Sequence, residues 1–166
     1  TTNTLNRGTT VAANSLYGPR SILEANGKLF ITDTNNSRVL IWNTIPNSTG
    51  VAADVAIGQP NLTSNGGAAG ASVFSAPWAT NYINGKLYIN DGSNRRIMIY
   101  NSIPTTSGVA ADSILGQASS GANNINSFGI SAWSIGEGST SLFFDGTYFW
   151  VTDRNNHRVV KLQLPP

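Results

Sequence analysis

One segment is written three times along this chain, and that repetition limits its fold more than any other feature. LFITDTNNSRVLIWNTIP, from Leu29 to Pro46, recurs as LYINDGSNRRIMIYNSIP, from Leu87 to Pro104. Asp33 and Asp91 stand 58 residues apart, as do Arg38 and Arg96, and Pro46 and Pro104. The offset continues on both sides without a gap. Pro19 falls on Pro77, GVAAD at Gly50 to Asp54 returns at Gly108 to Asp112, and Gly58-Gln59 returns as Gly116-Gln117. A third copy, FWVTDRNNHRVVKLQLP, starts at Phe149. Its Asp153 and Arg158 lie 62 residues beyond Asp91 and Arg96, and the additional residues are placed in the stretch Gly136 to Tyr148. Repeats of this length imply supersecondary units that must stack, since a single unit cannot bury both its faces.

Each unit reads as β throughout. Short runs rich in Ile, Val, Phe and Tyr alternate with Gly, Asn, Asp and Pro, and helical periodicity is absent. Asn26-Gly27, Asn84-Gly85 and Asp145-Gly146 predict tight hairpin turns, because both central residues of a type I′ turn need positive φ. In the first unit this places strands at about Ser21 to Ala25, Lys28 to Thr32, Arg38 to Asn43 and Asp54 to Gly58.

The pattern D-x-x-N-x-R-[VI] after an aromatic-aliphatic strand, present at Asp33, Asp91 and Asp153, resembles the NHL-repeat motif. The A-D-x-x-x-G-Q strand at Ala53 to Gln59 resembles a bacterial extracellular subclass of those repeats. The resemblance covers nearly the whole chain. It implies an all-β propeller segment of three four-stranded blades, with units at about 19–76, 77–131 and 132–166 and an inter-blade loop at 1–18. Closed propellers typically have four to eight blades. By the same offset Thr1 aligns with Gln59, and the last unit stops after its third strand. The expectation is half of a six-bladed ring whose last blade lacks its outer strand. A second copy, a sister chain or further residues of a longer chain would complete it. The edge from Val159 to Leu164 invites strand addition.

Residues repeated in every blade serve the blade. Asp33 with Arg38, Asp91 with Arg96 and Asp153 with Arg158 are expected to brace the turn between them, the carboxylate and the Arg fork holding the backbone and each other. The Asp-x-Asn-Asn loops also raise calcium, but no bidentate Glu follows them, so no metal or other cofactor is assigned. His157, the single histidine, occupies the place of Ser37 and Arg95 and reads as an exposed turn residue. Positions that differ between units carry more information. Arg20 falls on Trp78, and Trp133 is taken as their counterpart in the third unit, with Tyr17 and Phe74 flanking. The resemblance places these residues near a channel mouth, where rings and an Arg form a stacking platform for sugars, peptides or cations. The competing reading packs them between blades, as it does Trp42 and Trp150 inside strands.

Composition separates the function classes. Cysteine is absent, which removes disulfides, thiolate metal sites and thiol catalysis. Charged residues are 11% of the chain, the net charge is +2, and the bases are scattered, so no nucleic-acid partner is expected. An RNA face would need Arg95, Arg96, Arg154 and Arg158 to cluster. No apolar run approaches the ~20 residues of a membrane helix, so no membrane insertion is expected. A surface of Asn, Ser, Thr and Gly suggests a secreted or cell-surface protein. Asn35, Asn47 and Asn61 open N-x-[ST] acceptor patterns, which matter only in a glycosylating host. The reading is an extracellular binding or scaffold module for protein or carbohydrate, with itself or a sister chain as partner, rather than an enzyme. The alternative is half of a six-bladed, metal-dependent lactonase-like or lyase-like enzyme, which would need Glu24 to converge with an Asn and an Asp at the channel mouth. Glu137 lies in the inserted stretch.

Overall fold

A computed structural model describes residues 10–126, 129, 134–136 and 141–163. The described residues are all-β and form three antiparallel sheets. The first contains β1 (Pro19–Ala25), β2 (Lys28–Asp33), β3 (Arg38–Trp42) and β4 (Val55–Ile57), hydrogen-bonded in that order. The second repeats it with β5 (Pro77–Ile83), β6 (Lys86–Asp91), β7 (Arg96–Tyr100) and β8 (Ser113–Leu115). The third contains β9 (Leu142–Phe144), β10 (Tyr148–Asp153) and β11 (Arg158–Gln163), so among the described residues it is three-stranded with β11 at its edge.

Local chemistry sets the connections. Asn26 and Gly27 both take positive φ, at 53° and 72°, as do Asn84 and Gly85, at 50° and 82°. The third hairpin differs from the expectation. Asp145 and Tyr148 face each other across it, which makes Gly146 and Thr147 the central pair, and of these only Gly146 has positive φ, at 102°. A turn with Gly first and positive φ there alone is the other favoured two-residue hairpin loop. The β2–β3, β6–β7 and β10–β11 links are single 3-10 turns, Thr34–Asn36, Gly92–Asn94 and Arg154–Asn156. Each is closed by a left-handed residue: Ser37, Arg95 or His157.

The second sheet is buried on both faces, in keeping with the apolar runs Leu87–Ile89 and Ile97–Tyr100 in its two central strands. Leu87, Ile89, Met98 and Tyr100 meet Phe30, Val39 and Ile41 of the first sheet. Tyr88, Ile97 and Ile99 meet Phe149, Val151, Val160 and Leu162 of the third. The Tyr88 and Phe149 rings are 4.6 Å apart. Backbone contacts between sheets concentrate at the first strands, β1 against β5 and β5 against β9. There the Thr32 and Thr80 hydroxyls share a 2.8 Å bond, and Thr34 donates to the Pro77 carbonyl.

Equivalent bonds fix the register of the third unit. Ser134 O accepts from Arg158 as Ser15 and Val73 accept from Arg38 and Arg96. Gly136 N donates to Asp153 as Tyr17 and Ser75 donate to Asp33 and Asp91. Ser134 and Gly136 are 61 residues beyond Val73 and Ser75, whereas Asp153 is 62 beyond Asp91. Most of the additional residues therefore precede Ser134, and only one follows Gly136. They do not all lie between Gly136 and Tyr148.

Candidate functional site

The repeated acid–base pairs come together as buried knots. Arg38 Nε donates to Asp33 Oδ2 at 2.8 Å, and both side chains are fully buried. The same Arg donates to Leu62 O, Ala12 O and Ser15 O at 2.6, 3.0 and 2.8 Å. Asp33 also accepts from Tyr17 N at 2.6 Å and from Asn36 Nδ2 at 2.8 Å. One ion pair thus ties together the segment entering β1, the turn after β2 and the loop after β4. Arg96 repeats this on Asp91, Gly70, Val73 and Ser120. Burial pushes the Asp91 carboxyl up to about 6 against the opposing pull of Arg96, Asn94 and Ser75. Arg158 bonds Asp153 and Ser134 but stays 25% exposed.

The repeated Gly-Gln and GVAAD segments carry bonds that recurrence alone does not reveal. Gln59 Nε2 donates to Ser37 O and Gly66 O, and Gln117 does the same to Arg95 O and Asn124 O. Each Gln holds the carbonyl of the left-handed turn residue. Asp54 and Asp112 accept from Asn43 N and Asn101 N at 2.7 Å, closing the ends of β3 and β7.

The channel-mouth candidates separate into three groups. Phe74 does not belong to an open site. It is fully buried, and a Cβ on Gly58 would stand 2.0 Å from its ring. It plugs the seam over Gly58 and offers no face to a ligand. Tyr17 is half-buried, and both its backbone groups are engaged, N–H with Asp33 and C=O with Asn35. Trp133 lies outside the described residues. With Ser134 as the counterpart of Ser15 and Val73, Trp133 is aligned with Asn14 and Ser72, not with Arg20 and Trp78.

Arg20 and Trp78 are brought together. Both sit in bulges, where the ladder skips from Pro19 to Ser21 and from Pro77 to Ala79. A bulge leaves one residue out of the pairing and re-aims its side chain. The Arg20 guanidinium carbon lies 3.9 Å from the centre of the Trp78 ring, across the seam between the first two sheets. The indole in turn rests on Gly92, where a Cβ would come within 2.3 Å of it. The other units have Thr34 and Arg154 at that place, so the small residue and the large ring occur together. Arg20 is exposed, and among the described residues no acceptor takes its N–H groups.

Two grooves lie on the face of the first sheet turned away from the second. One, of about 290 Å³, is lined by Leu16, Pro19, Arg20, Ser21, Ile22 and Ile31. The other, of about 350 Å³, runs from Leu29 and Ile31 over Trp42 to Val51.

The remaining candidates take ordinary places. Glu24 accepts from Gly27 N at 3.0 Å, at the tip of the β1–β2 hairpin. His157 is an exposed left-handed turn residue. Trp42 donates to Val51 O, and Trp150 donates to Asp145 Oδ2 at 2.7 Å. Arg96 is fully buried, so the four arginines weighed for an RNA face do not form one surface. Among the described residues no three His, Cys, Asp or Glu side chains are grouped to hold a metal, and no helix is long and apolar enough to cross a membrane. Compared with known proteins, the chain matches no family model and no curated protein.

Proposed function

We propose that this chain is a β-propeller segment of the NHL-repeat kind, acting outside the cell as a binding and scaffold module. Support for the blade reading comes from three repeated antiparallel sheets whose mutual contacts concentrate at their first strands. Support for the compartment comes from a chain with 11% charged residues whose polar positions are mostly Asn, Ser, Thr and Gly. The ligand is a carboxylate-bearing carbohydrate or protein surface, received at the rim where β1 and β5 begin.

The observation that carries this reading is Arg20 itself: stacked on Trp78 and, among the described residues, otherwise without an acceptor. A free Arg side chain loses rotamer freedom when it binds. Stacking removes much of that cost in advance and leaves a fork of N–H donors aimed at a planar carboxylate. The half-buried indole beside it adds a surface on which a sugar ring or peptide group would rest.

Titration with oligogalacturonate, followed by tryptophan fluorescence, tests the reading, with an uncharged oligosaccharide and an acidic peptide alongside. Arg20→Ala and Trp78→Ala are each expected to weaken binding by about tenfold or more, on the scale of a charge-assisted hydrogen bond. Failure of the parent chain to respond to any acidic probe rejects it.

A further inference from the structure

The two junctions between the described sheets use one complementary pair of faces, and among the described residues the same pair is left uncovered on the first and third sheets. Ile22, Leu29 and Ile31 of the first sheet correspond to Thr80, Leu87 and Ile89, and to Leu142, Phe149 and Val151. In the second and third sheets those positions are buried against the preceding sheet, whereas Ile22 is 72% exposed and Leu29 and Ile31 border the grooves. On the third sheet, Val159 corresponds to Val39 and Ile97, which the following sheet buries to 0% and 1% exposure; Val159 is 60% exposed. Phe143, across β10 on the same face, is 63% exposed.

We propose that a second copy of this chain docks head to tail, the third sheet of one copy packing on the first sheet of the other as the sheets already pack within each copy. The proposal rests on the reading of the sheets as blades about one axis. Charge agrees with the pairing. In the internal junctions, Ile41 and Tyr82 share one cluster, and Ile99 and Phe144 share the other. The corresponding positions on the uncovered faces are Lys161 and Glu24, one of each sign. The stem of Lys161 lies along the sheet, and its ammonium sits 3.6 Å from the centre of the Tyr148 ring, near the hairpin end where Glu24 would arrive. A head-to-tail contact closes into a ring or runs on as a filament. Two copies supply six sheets, within the range of about four to eight that closes, and three copies would exceed it. With the three described sheets per copy, the proposed assembly is a dimer with two identical junctions.

Sedimentation velocity over a concentration series of the 166-residue chain tests this. The parent chain is expected to dimerise. Val159→Glu and Ile22→Glu each place a charge in both junctions and are expected to raise the dissociation constant at least ~100-fold, since an unpaired buried charge costs several kcal/mol. Circular dichroism and melting identify any variant that fails to fold, and Ile22, the more exposed of the two, is the safer site. Mixing the two variants restores one intact junction, because each keeps the face that the other has lost. Glu24→Lys and Lys161→Glu are each expected to weaken association about tenfold, and the double variant to recover it. A folded monomer at every concentration, a dimer indifferent to both Glu substitutions, or variants that do not associate on mixing would overturn the proposal. Binding of acidic oligosaccharide by a folded monomer keeps the rim reading while rejecting the dimer, so the two failures are separable.

Discussion

Arg38 reaches Asp33 at 2.8 Å with neither side chain accessible to water, and the Arg spends its other N–H groups on three carbonyls from two other segments. Removing the Arg strands a buried carboxylate and takes one donor from each of those carbonyls. Arg38→Ala or Arg96→Ala is expected to cost about 3–5 kcal/mol in urea unfolding. Arg158→Ala should cost clearly less, because that side chain is 25% exposed and water replaces part of what is lost. Equal losses at Arg96 and Arg158 would contradict the role given to burial.

Gly92 and Trp78 make a second, sterically defined pair. The glycine needs no unusual backbone conformation, so alanine suits the chain locally and the effect is all contact. Its Cβ would stand 2.3 Å from the indole, forcing the ring off its seat and away from Arg20. Gly92→Ala is expected to cost about 1–3 kcal/mol, as overpacking does. It should also shift the tryptophan emission and lower acidic-ligand affinity. Adding Trp78→Ala should return most of the lost stability, a coupling that a double-mutant cycle reads directly. Additive losses would mean that the two residues are independent.

These cases show what was legible in the residues alone. Asn26-Gly27 could be read because positive φ is a local demand that the dipeptide itself meets. The Asp33–Arg38 brace was legible as a recurring pair, but its reach to Ala12, Ser15 and Leu62 depends on where distant loops return. Phe74 reads as a rim aromatic in sequence because its partner, Gly58, just past β4, meets it only when the β4–β5 loop folds back. Asp145-Gly146 was one residue out of register: the Asp side chain accepts from Thr147 N and Tyr148 N, which makes it the residue before the turn pair. Trp78 stands out because it breaks the repeat; Gly92 breaks it too, and the set Thr34, Gly92 and Arg154 marks the seat of the ring.

His157 closes its turn at φ 52°, in the left-handed region, where an L-residue other than Gly is strained by about 1–2 kcal/mol. Glycine removes that strain and brings back an entropic cost of about 0.5–1 kcal/mol. The bond from its N–H to Arg154 O survives the change. His157→Gly is expected to stabilise by about 0.5 kcal/mol, seen as a small rise in Tm. Ser37→Gly and Arg95→Gly should gain less, since the Ser hydroxyl accepts from Ala76 N and the Arg donates to Asn123 O. A fall in Tm for His157→Gly would assign the imidazole a contact beyond the turn.

Asp145 gives a pH signature for the third hairpin. Its carboxylate accepts from Tyr148 N, from the Trp150 indole and from Thr147 N, and these bonds hold its pKa below the usual 3.8. A carboxyl depressed in the folded state contributes stability that is fully present above the unfolded value and is lost as pH falls through the folded one. The hairpin should therefore keep its order at pH 5 and loosen only under acid stronger than pH 3.8. Carboxyl-detected NMR should place the midpoint below that value, with the Trp150 indole resonance moving in step. Asp145→Asn keeps an acceptor and should abolish the titration while leaving the indole bonded. Asp145→Ala should release the Trp150 ring at every pH. A midpoint at or above 3.8 would mean that the three bonds do not persist in solution.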